Sequence, residues 1–382
     1  MRERLLLTTG VLTSISRLIH CTDLSIKAVE AGGDLMAEII ELAADGENAS
    51  KIFESYIQSG NINFLIGSGA SFPAIATAGN IEAEIDELLL ANNENGASRR
   101  CLEFLEQIDT VHGKVSTAEA DDPIYGVVAN YRLFLSTIDR ILFTRKNILL
   151  PRHATVFTTN YDMFLEHASS LVPGVILNDG FDRSSSLSHE FMFTPERFFD
   201  RTYRSGPIYG HQIEIPTINL IKLHGSLSWR RITDSIVFDP AAIPKLTDEE
   251  KADIAQVNAY LEKHFLILPN LRKFHTTLME RVYYDLLRLF SKAMDQENSV
   301  LIAFGFSFAD EHILDLTRRA LRNPTSQLVI VSYSHASAAA YQTKFSKQRN
   351  VIVLAPAAGA TINFERLNEL LVSILPGQAN AA

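Results

Sequence analysis

Asn160 and His224 are the two side chains in this sequence best placed to do chemistry. Each lies just past a short apolar run, Ala154–Phe157 and Asn219–Leu223, that predicts a buried strand. An amide at a strand end can orient a water or a sugar hydroxyl without carrying charge. Asp162, two residues on, could do likewise or stabilise positive charge on a ribose ring. Asn160 has a second reading, as the N-cap of a helix expected over Tyr161–Ser169. Histidine, whose unperturbed pKa lies near 6.5, is a natural general base, and His224 is the candidate for that role. The chain has 11 histidines, and a structural role is the usual one for any of them. His224 differs in sharing a predicted strand edge with Asn160 and Gly67. Lys222 is expected to point the same way as His224 and to be solvated or ion-paired.

Two glycine turns follow two more apolar runs: Gly67-Ser68-Gly69-Ala70-Ser71 after Asn63–Ile66, and Gly305-Phe306-Ser307-Phe308-Ala309-Asp310 after Ser299–Phe304. Strand, small-residue turn and helix is how an open parallel sheet offers backbone N–H groups to a phosphate. Gly67 and Gly69 would let the chain turn tightly and approach a pyrophosphate, and Ser71 could cap the next helix or bond to phosphate. Phe72 stands where a dehydrogenase fingerprint wants its third glycine, which weakens that reading. Ser307 is a candidate phosphate or ribose donor, and Asp310 a candidate helix cap. Ser332-Tyr333-Ser334 could contact an adenosine, although edge packing suits Tyr333 equally well.

These residues need elements to hold them. Strands at Ser299–Phe304, Gln327–Ser332 and Val351–Leu354 alternate with helices at Asp310–Leu321, Ser337–Lys347 and Asn363–Leu375, which predicts a right-handed parallel sheet. Helical periodicity at Ile81–Leu90, Arg99–Thr110 and Tyr125–Phe143 is too much for one crossover and predicts a helical insertion over about residues 80–150. Asn92-Asn93-Glu94-Asn95-Gly96 reads as a turn inside it. Residues 173–216 read as a short strand, hairpins and loops. A second insertion, about 240–297, carries helical patterns at Asp248–Lys263 and Thr276–Met294 around the apolar run Phe265–Leu268. Residues 1–50 read as an N-terminal helical extension with Leu35, Ile39, Ile40 and Leu42 on one face. Residues 51–376 then form the nucleotide-binding domain, and 377–382 a frayed tail.

The 382 residues are 46% hydrophobic and 21% charged, ordinary for a folded globular protein. A net charge of −10 argues against a general nucleic-acid surface. No apolar run reaches membrane-spanning length, and Ser14, Ser16 and Arg17 break any signal-like stretch near the start, so a cytoplasmic location is expected. Cys21 and Cys101 are the only cysteines, too few for a four-thiolate zinc site.

The ordered set Gly-x-Gly-Ala-Ser, Thr-Asn-Tyr-Asp, Leu-His-Gly and Gly-Phe-Ser-Phe-x-Asp resembles the sirtuin-like fold. It is most similar to the divergent bacterial branch that hydrolyses NAD in antiphage defence, over roughly residues 51–375. The resemblance implies a Rossmann-like α/β parallel sheet with an inserted helical subdomain. It makes Asn160 and His224 the catalytic pair. It implies dinucleotide contacts from Gly67, Ser68, Gly69, Ala70, Ser71, Thr159, Asp162, Gly305, Ser307 and Ser332. Protein-deacylating sirtuins carry a four-cysteine zinc module, so no zinc is expected here. They also follow the first glycine turn with an Ile-Pro-Asp-Phe-Arg-type stretch, where this chain has Phe72-Pro73-Ala74-Ile75-Ala76. The expectation is therefore an NAD hydrolase releasing nicotinamide and ADP-ribose. Relatives of this length imply a homo-oligomer and a HerA-type hexameric ATPase partner in trans. The alternatives are an NAD- or ADP-ribose-sensing assembly module, and an NAD-dependent deacylase or ADP-ribosyltransferase.

Overall fold

The computed structural model describes residues 37–376, apart from 44–45, 146, 148, 184–190, 206–211, 233–234, 240–245 and 267–276. The helical reading of residues 1–36 and the frayed-tail reading of 377–382 lie outside the described residues.

In chain order the strands are β1 (Glu38–Glu41), β2 (Asn61–Ile66), β3 (His153–Thr158), β4 (Ile176–Asn178), β5 (Phe181–Asp182), β6 (Phe191–Phe193), β7 (Tyr203–Ser205), β8 (Gln212–Glu214), β9 (Thr217–Lys222), β10 (Gly225–Ile232), β11 (Ser235–Phe238), β12 (His264–Leu266), β13 (Ser299–Phe304), β14 (Gln327–Val331) and β15 (Val351–Ala355). Eight of them form one sheet in the order β1-β15-β14-β13-β2-β3-β9-β4, all paired in parallel. From β2 the chain moves outward through β3 and β9, then returns to place β13 on the other side of β2. The reversal makes β2 and β13 the switch point where such sheets open a crevice at their carboxyl ends.

Burial on both sides explains why the central strands are continuous apolar runs rather than alternating ones. Phe64 and Ile66 face a core with Phe53, Tyr131, Phe134 and Leu371, while Leu65 faces another with Phe157, Phe290, Phe308 and Phe345. The first face is covered by α1 (Glu47–Ser59), α4 (Pro123–Thr144) and α11 (Phe364–Ser373). The second is covered by α8 (Thr277–Met294), α9 (Glu311–Ala320) and α10 (His335–Lys344). Edge-to-face pairs with centroids 5.0 Å apart, Phe64–Phe134 and Phe157–Phe290, anchor one helix on each side.

Residues 38–41 correct the helical expectation. They form β1 and pair with β15, with Ile40 packed against the first core and Ile39 against the second. Two adjacent isoleucines can face opposite layers only in a strand, and β-branched side chains favour one. A smaller correction concerns residues 92–96. Only Asn92, at φ 55°, keeps turn geometry, because Asn93 caps α3 (Glu94–Lys114) by accepting the Gly96 N–H at 2.9 Å.

The two insertions meet. Helices α2 (Ala78–Leu90) and α3 pack with α7 (Ile254–Lys263) around Ile85, Cys101, Phe104, Leu105, Val257 and Leu261. Arg99 donates to the carbonyls of Lys251 and Ala252 at 2.7 and 3.0 Å, and Lys251 pairs with Glu106 at 2.9 Å, so α6 (Asp248–Ala252) is tied to the same lobe. Tyr161 and Leu227 belong to this cluster, so the lobe is rooted directly beside Asn160 and the start of β10. In a separate antiparallel sheet, β12-β10-β11-β6-β5, strand β10 begins immediately after His224.

Candidate functional site

One register row crosses the main sheet through Leu354, Val331, Phe304, Ile66, Thr158 and Lys222. The residues that follow this row are the predicted site residues: Ser332, Gly305, Gly67, Thr159 and, two past Lys222, His224. Parallel strands in common register thus deliver all five sequence segments to one carboxyl edge. The strand end carrying Asn160 is joined to the next by Leu223, whose N–H donates to the Thr158 carbonyl at 2.8 Å.

Asn160 is not a helix cap. Helix α5 (Phe164–Ser170) begins later, after Met163, and Asn160 points elsewhere. Its Nδ2 donates to the Gly67 carbonyl at 3.1 Å and to Ser71 Oγ at 3.2 Å. A carbonyl can only accept, so the Gly67 contact fixes which end of the amide faces inward. Oδ1 is left buried with no protein partner. An orphaned buried acceptor costs stability unless something supplies a donor. A sugar hydroxyl or an ordered water fits it.

Beneath Asn160 lies a closed polar network. Ser71, 1% exposed, donates from Oγ to Asp162 Oδ2 at 2.6 Å, and its lone pairs receive Asn160 Nδ2 and the Tyr131 hydroxyl at 3.0 Å. Asp162 also accepts the Phe164 N–H at 3.3 Å. Burial raises the Asp162 pKa, opposed by the charge of Lys222 and the Ser71 hydrogen bond. Lys222 is ion-paired rather than solvated. It is 2% exposed, 2.8 Å from Glu166 Oε1, and bonded to the Asp162 carbonyl and to Ser226 Oγ.

His224 is buried, and its Nε2 lies 2.9 Å from Asp310 Oδ2. The other oxygen of Asp310 caps α9, accepting the His312 and Ile313 N–H groups at 2.9 and 3.1 Å. Burial alone would raise the Asp310 pKa, but the hydrogen bond and charge of His224 and the helix N–H groups hold it below the usual range. The rings of Tyr161 and Tyr283 lie near the imidazole, each tilted to it with its centroid 6.3 Å away.

Several of the predicted ligand groups are hydrogen-bonded within the protein itself. The N–H groups of Gly67, Gly69, Ala70 and Ser71 are donated to Phe304, Gly305, Gly67 and Ser68 carbonyls, so they do not form an open phosphate cradle. A Cβ at Gly67 would lie 2.3 Å from the Gly305 carbonyl oxygen, and one at Gly69 would lie 2.8 Å from Gly305 Cα. These glycines serve the close approach of two loops at the switch point. Ser71 and Asp162 are committed to the Asn160 network and orient rather than reach outward. Ser332, fully buried, spends its hydroxyl on Ser334 and Ser337 at the start of α10. The side chain of Tyr333 is the exposed group there. Ser68, Gly69 and Thr159 remain half-buried and Ser307 exposed, with Lys344 holding the Ser307 and Phe308 carbonyls from behind.

Sequence reasoning placed Asp310 as a helix cap but missed its bond to His224, 86 positions away. The signal was present, since the Asp closes the same Gly-Phe-Ser-Phe-x-Asp segment that faces the site. Among the described residues no group of three or more His, Cys, Asp or Glu side chains gathers as metal ligands do, and no helix is long and apolar enough to cross a membrane.

The family model of the SIR2-like domain matches residues 154–354, which runs from the strand before Asn160 to the last strand of the sheet. The chain belongs to the SIR2-like domain family. That is a family of NAD-dependent enzymes, so the SIR2-like domain brings NAD use with it. A search of curated proteins finds no match. The match starts after the first glycine turn and the α2–α3 insertion, leaving Gly67 and Ser71 to be tied to it by geometry.

Proposed function

We propose that this SIR2-like chain is an NAD glycohydrolase that releases nicotinamide and ADP-ribose. The observation that carries the reading is the Asn160 amide, locked by Gly67 and Ser71 with one buried acceptor left over, beside an imidazole on the neighbouring strand end. Breaking the nicotinamide–ribose bond passes through an oxocarbenium-like ribose. Water adds to the ribose carbon, the bond electrons leave with nicotinamide, and one proton of the water passes to a base. His224 is that base, or takes the proton of a ribose hydroxyl, while Asn160 Oδ1 fixes the donor. Acid–base groups of this kind contribute roughly two to four orders of magnitude.

The biological setting follows from the sequence resemblance. The enzyme acts in the bacterial cytoplasm as an antiphage effector by depleting NAD. An unrestrained NAD hydrolase would harm its own cell, so turnover is gated by assembly, as a homo-oligomer and with a HerA-type hexameric ATPase. The test is product analysis after incubation with NAD, for the purified chain and for the chain co-purified with its cognate ATPase. Equimolar nicotinamide and ADP-ribose are expected. Neither product from either preparation would refute hydrolysis. Product formed only when an acyl-lysine peptide is added, as O-acyl-ADP-ribose, would identify a deacylase instead.

A further inference from the structure

We propose that Asp310 is a positioning residue that selects the working tautomer of His224. This deepens the reading of the site as an NAD-cleaving centre and rests on it. Asp310 is ionised and accepts at Oδ2, so the imidazole nitrogen facing it, Nε2, must carry the hydrogen. Nδ1 is then the basic nitrogen, and among the described residues the ring makes no other hydrogen bond. The carboxylate cannot swing away, because Oδ1 is held by the His312 and Ile313 N–H groups in the first turn of α9. That helix start also favours a negative charge. The rings of Tyr161 and Tyr283 pack near the imidazole, each with its centroid 6.3 Å away. Asp310 therefore does for His224 what Ser71 does for Asn160: it spends one end of the functional group inside the protein so that the other end is presented in a single form. An aspartate that only capped α9 would need one oxygen, whereas here both are used.

Asp310→Asn separates the two duties. Its carbonyl oxygen still caps α9, while its amide offers a donor to Nε2 and drives the ring hydrogen to Nδ1. The experiment is a long-range ¹H–¹⁵N correlation spectrum of ¹⁵N-histidine-labelled protein at mildly alkaline pH, with His224→Gln giving the assignment, and steady-state kinetics on NAD alongside. Wild type is expected to show the Nε2–H pattern at His224 and Asp310→Asn the Nδ1–H pattern. The variant's kcat should fall about 10²- to 10⁴-fold with KM changed only a few-fold, the scale typical of an acid–base group lost to the wrong tautomer. An Nδ1–H ring in wild type would overturn the proposal. So would an unchanged tautomer in Asp310→Asn, or an inverted tautomer with wild-type kcat. If wild type does not cleave NAD at all, the spectra still decide the tautomer, and the failure belongs to the proposed activity.

Discussion

Every hydrogen-bonding capacity of Ser71 is filled by Asp162, Tyr131 and Asn160, and both Asn160 amide hydrogens are taken, so the position of Oδ1 is fixed before any ligand arrives. The charge beneath is balanced by one cation. Lys222 pairs directly with Glu166 and its charge also acts on Asp162, while burial raises the pKa of both acids. Removing one partner of a buried ion pair costs about 3–5 kcal/mol, because the other charge is left unpaired. Lys222→Met should therefore lose about that much in urea denaturation, and adding Glu166→Gln should restore a substantial part. A single variant as stable as wild type would show that the network is solvated. At this scale the sequence showed residue type and strand position well. It could not show which way a side chain turns: Ser71, Asp162 and Ser332 sit where ligand donors would sit, yet their hydroxyl and carboxylate groups point into the protein.

At the scale of elements, the buried strands were legible because both faces are covered and each is a dense apolar run. Strand β1 was not, because Glu-Ile-Ile-Glu is too short to show a period, and pairing with β15 decides its conformation. The switch point depends on glycines such as Gly67, and comparing it with Gly359, in the loop between β15 and α11, separates steric crowding from backbone conformation. Gly359, at φ +82° with open space around it, should cost only about 1–2 kcal/mol when replaced by Ala. Gly67→Ala, whose Cβ would collide with the Gly305 backbone, should cost more, as overpacking against an unyielding backbone does. Urea midpoints in the reverse order would contradict the loop-on-loop account. His112 on α3 gives a pH prediction. Its Nε2 accepts the Met163 N–H at 2.8 Å, and burial, reinforced by Lys222 and His167, lowers its pKa from 6.5 to about 3. A depressed folded value means the unfolded chain takes up a proton that the folded one refuses. Stability should thus be complete above pH 6.5 and decline as pH falls toward 3, with a slope near ~1.4 kcal/mol per pH unit for one proton. His112→Gln, which keeps an acceptor but cannot titrate, should flatten that slope in denaturation curves measured across this range. An unchanged slope would assign the acid sensitivity to other groups, His264 among them.

At the scale of the whole molecule, the sheet, its switch point and the shared carboxyl edge followed from the order of apolar runs and small-residue turns. The lobe did not. Its halves come from insertions more than a hundred residues apart, and they meet because α3 and α7 each present an apolar face that the main sheet does not cover. The lobe is rooted at Tyr161, next to Asn160, so it stands beside the candidate site. The measurement that tests the central claim most directly is nicotinamide release from NAD by wild type, Asn160→Ala and His224→Ala, with NAD affinity followed in parallel. Wild type, alone or with its cognate ATPase, should turn over NAD. Each variant should lose about 10²- to 10⁴-fold in kcat while binding NAD within a few-fold of wild type. Wild-type turnover in either variant, or no turnover by the wild-type protein in either preparation, would contradict it.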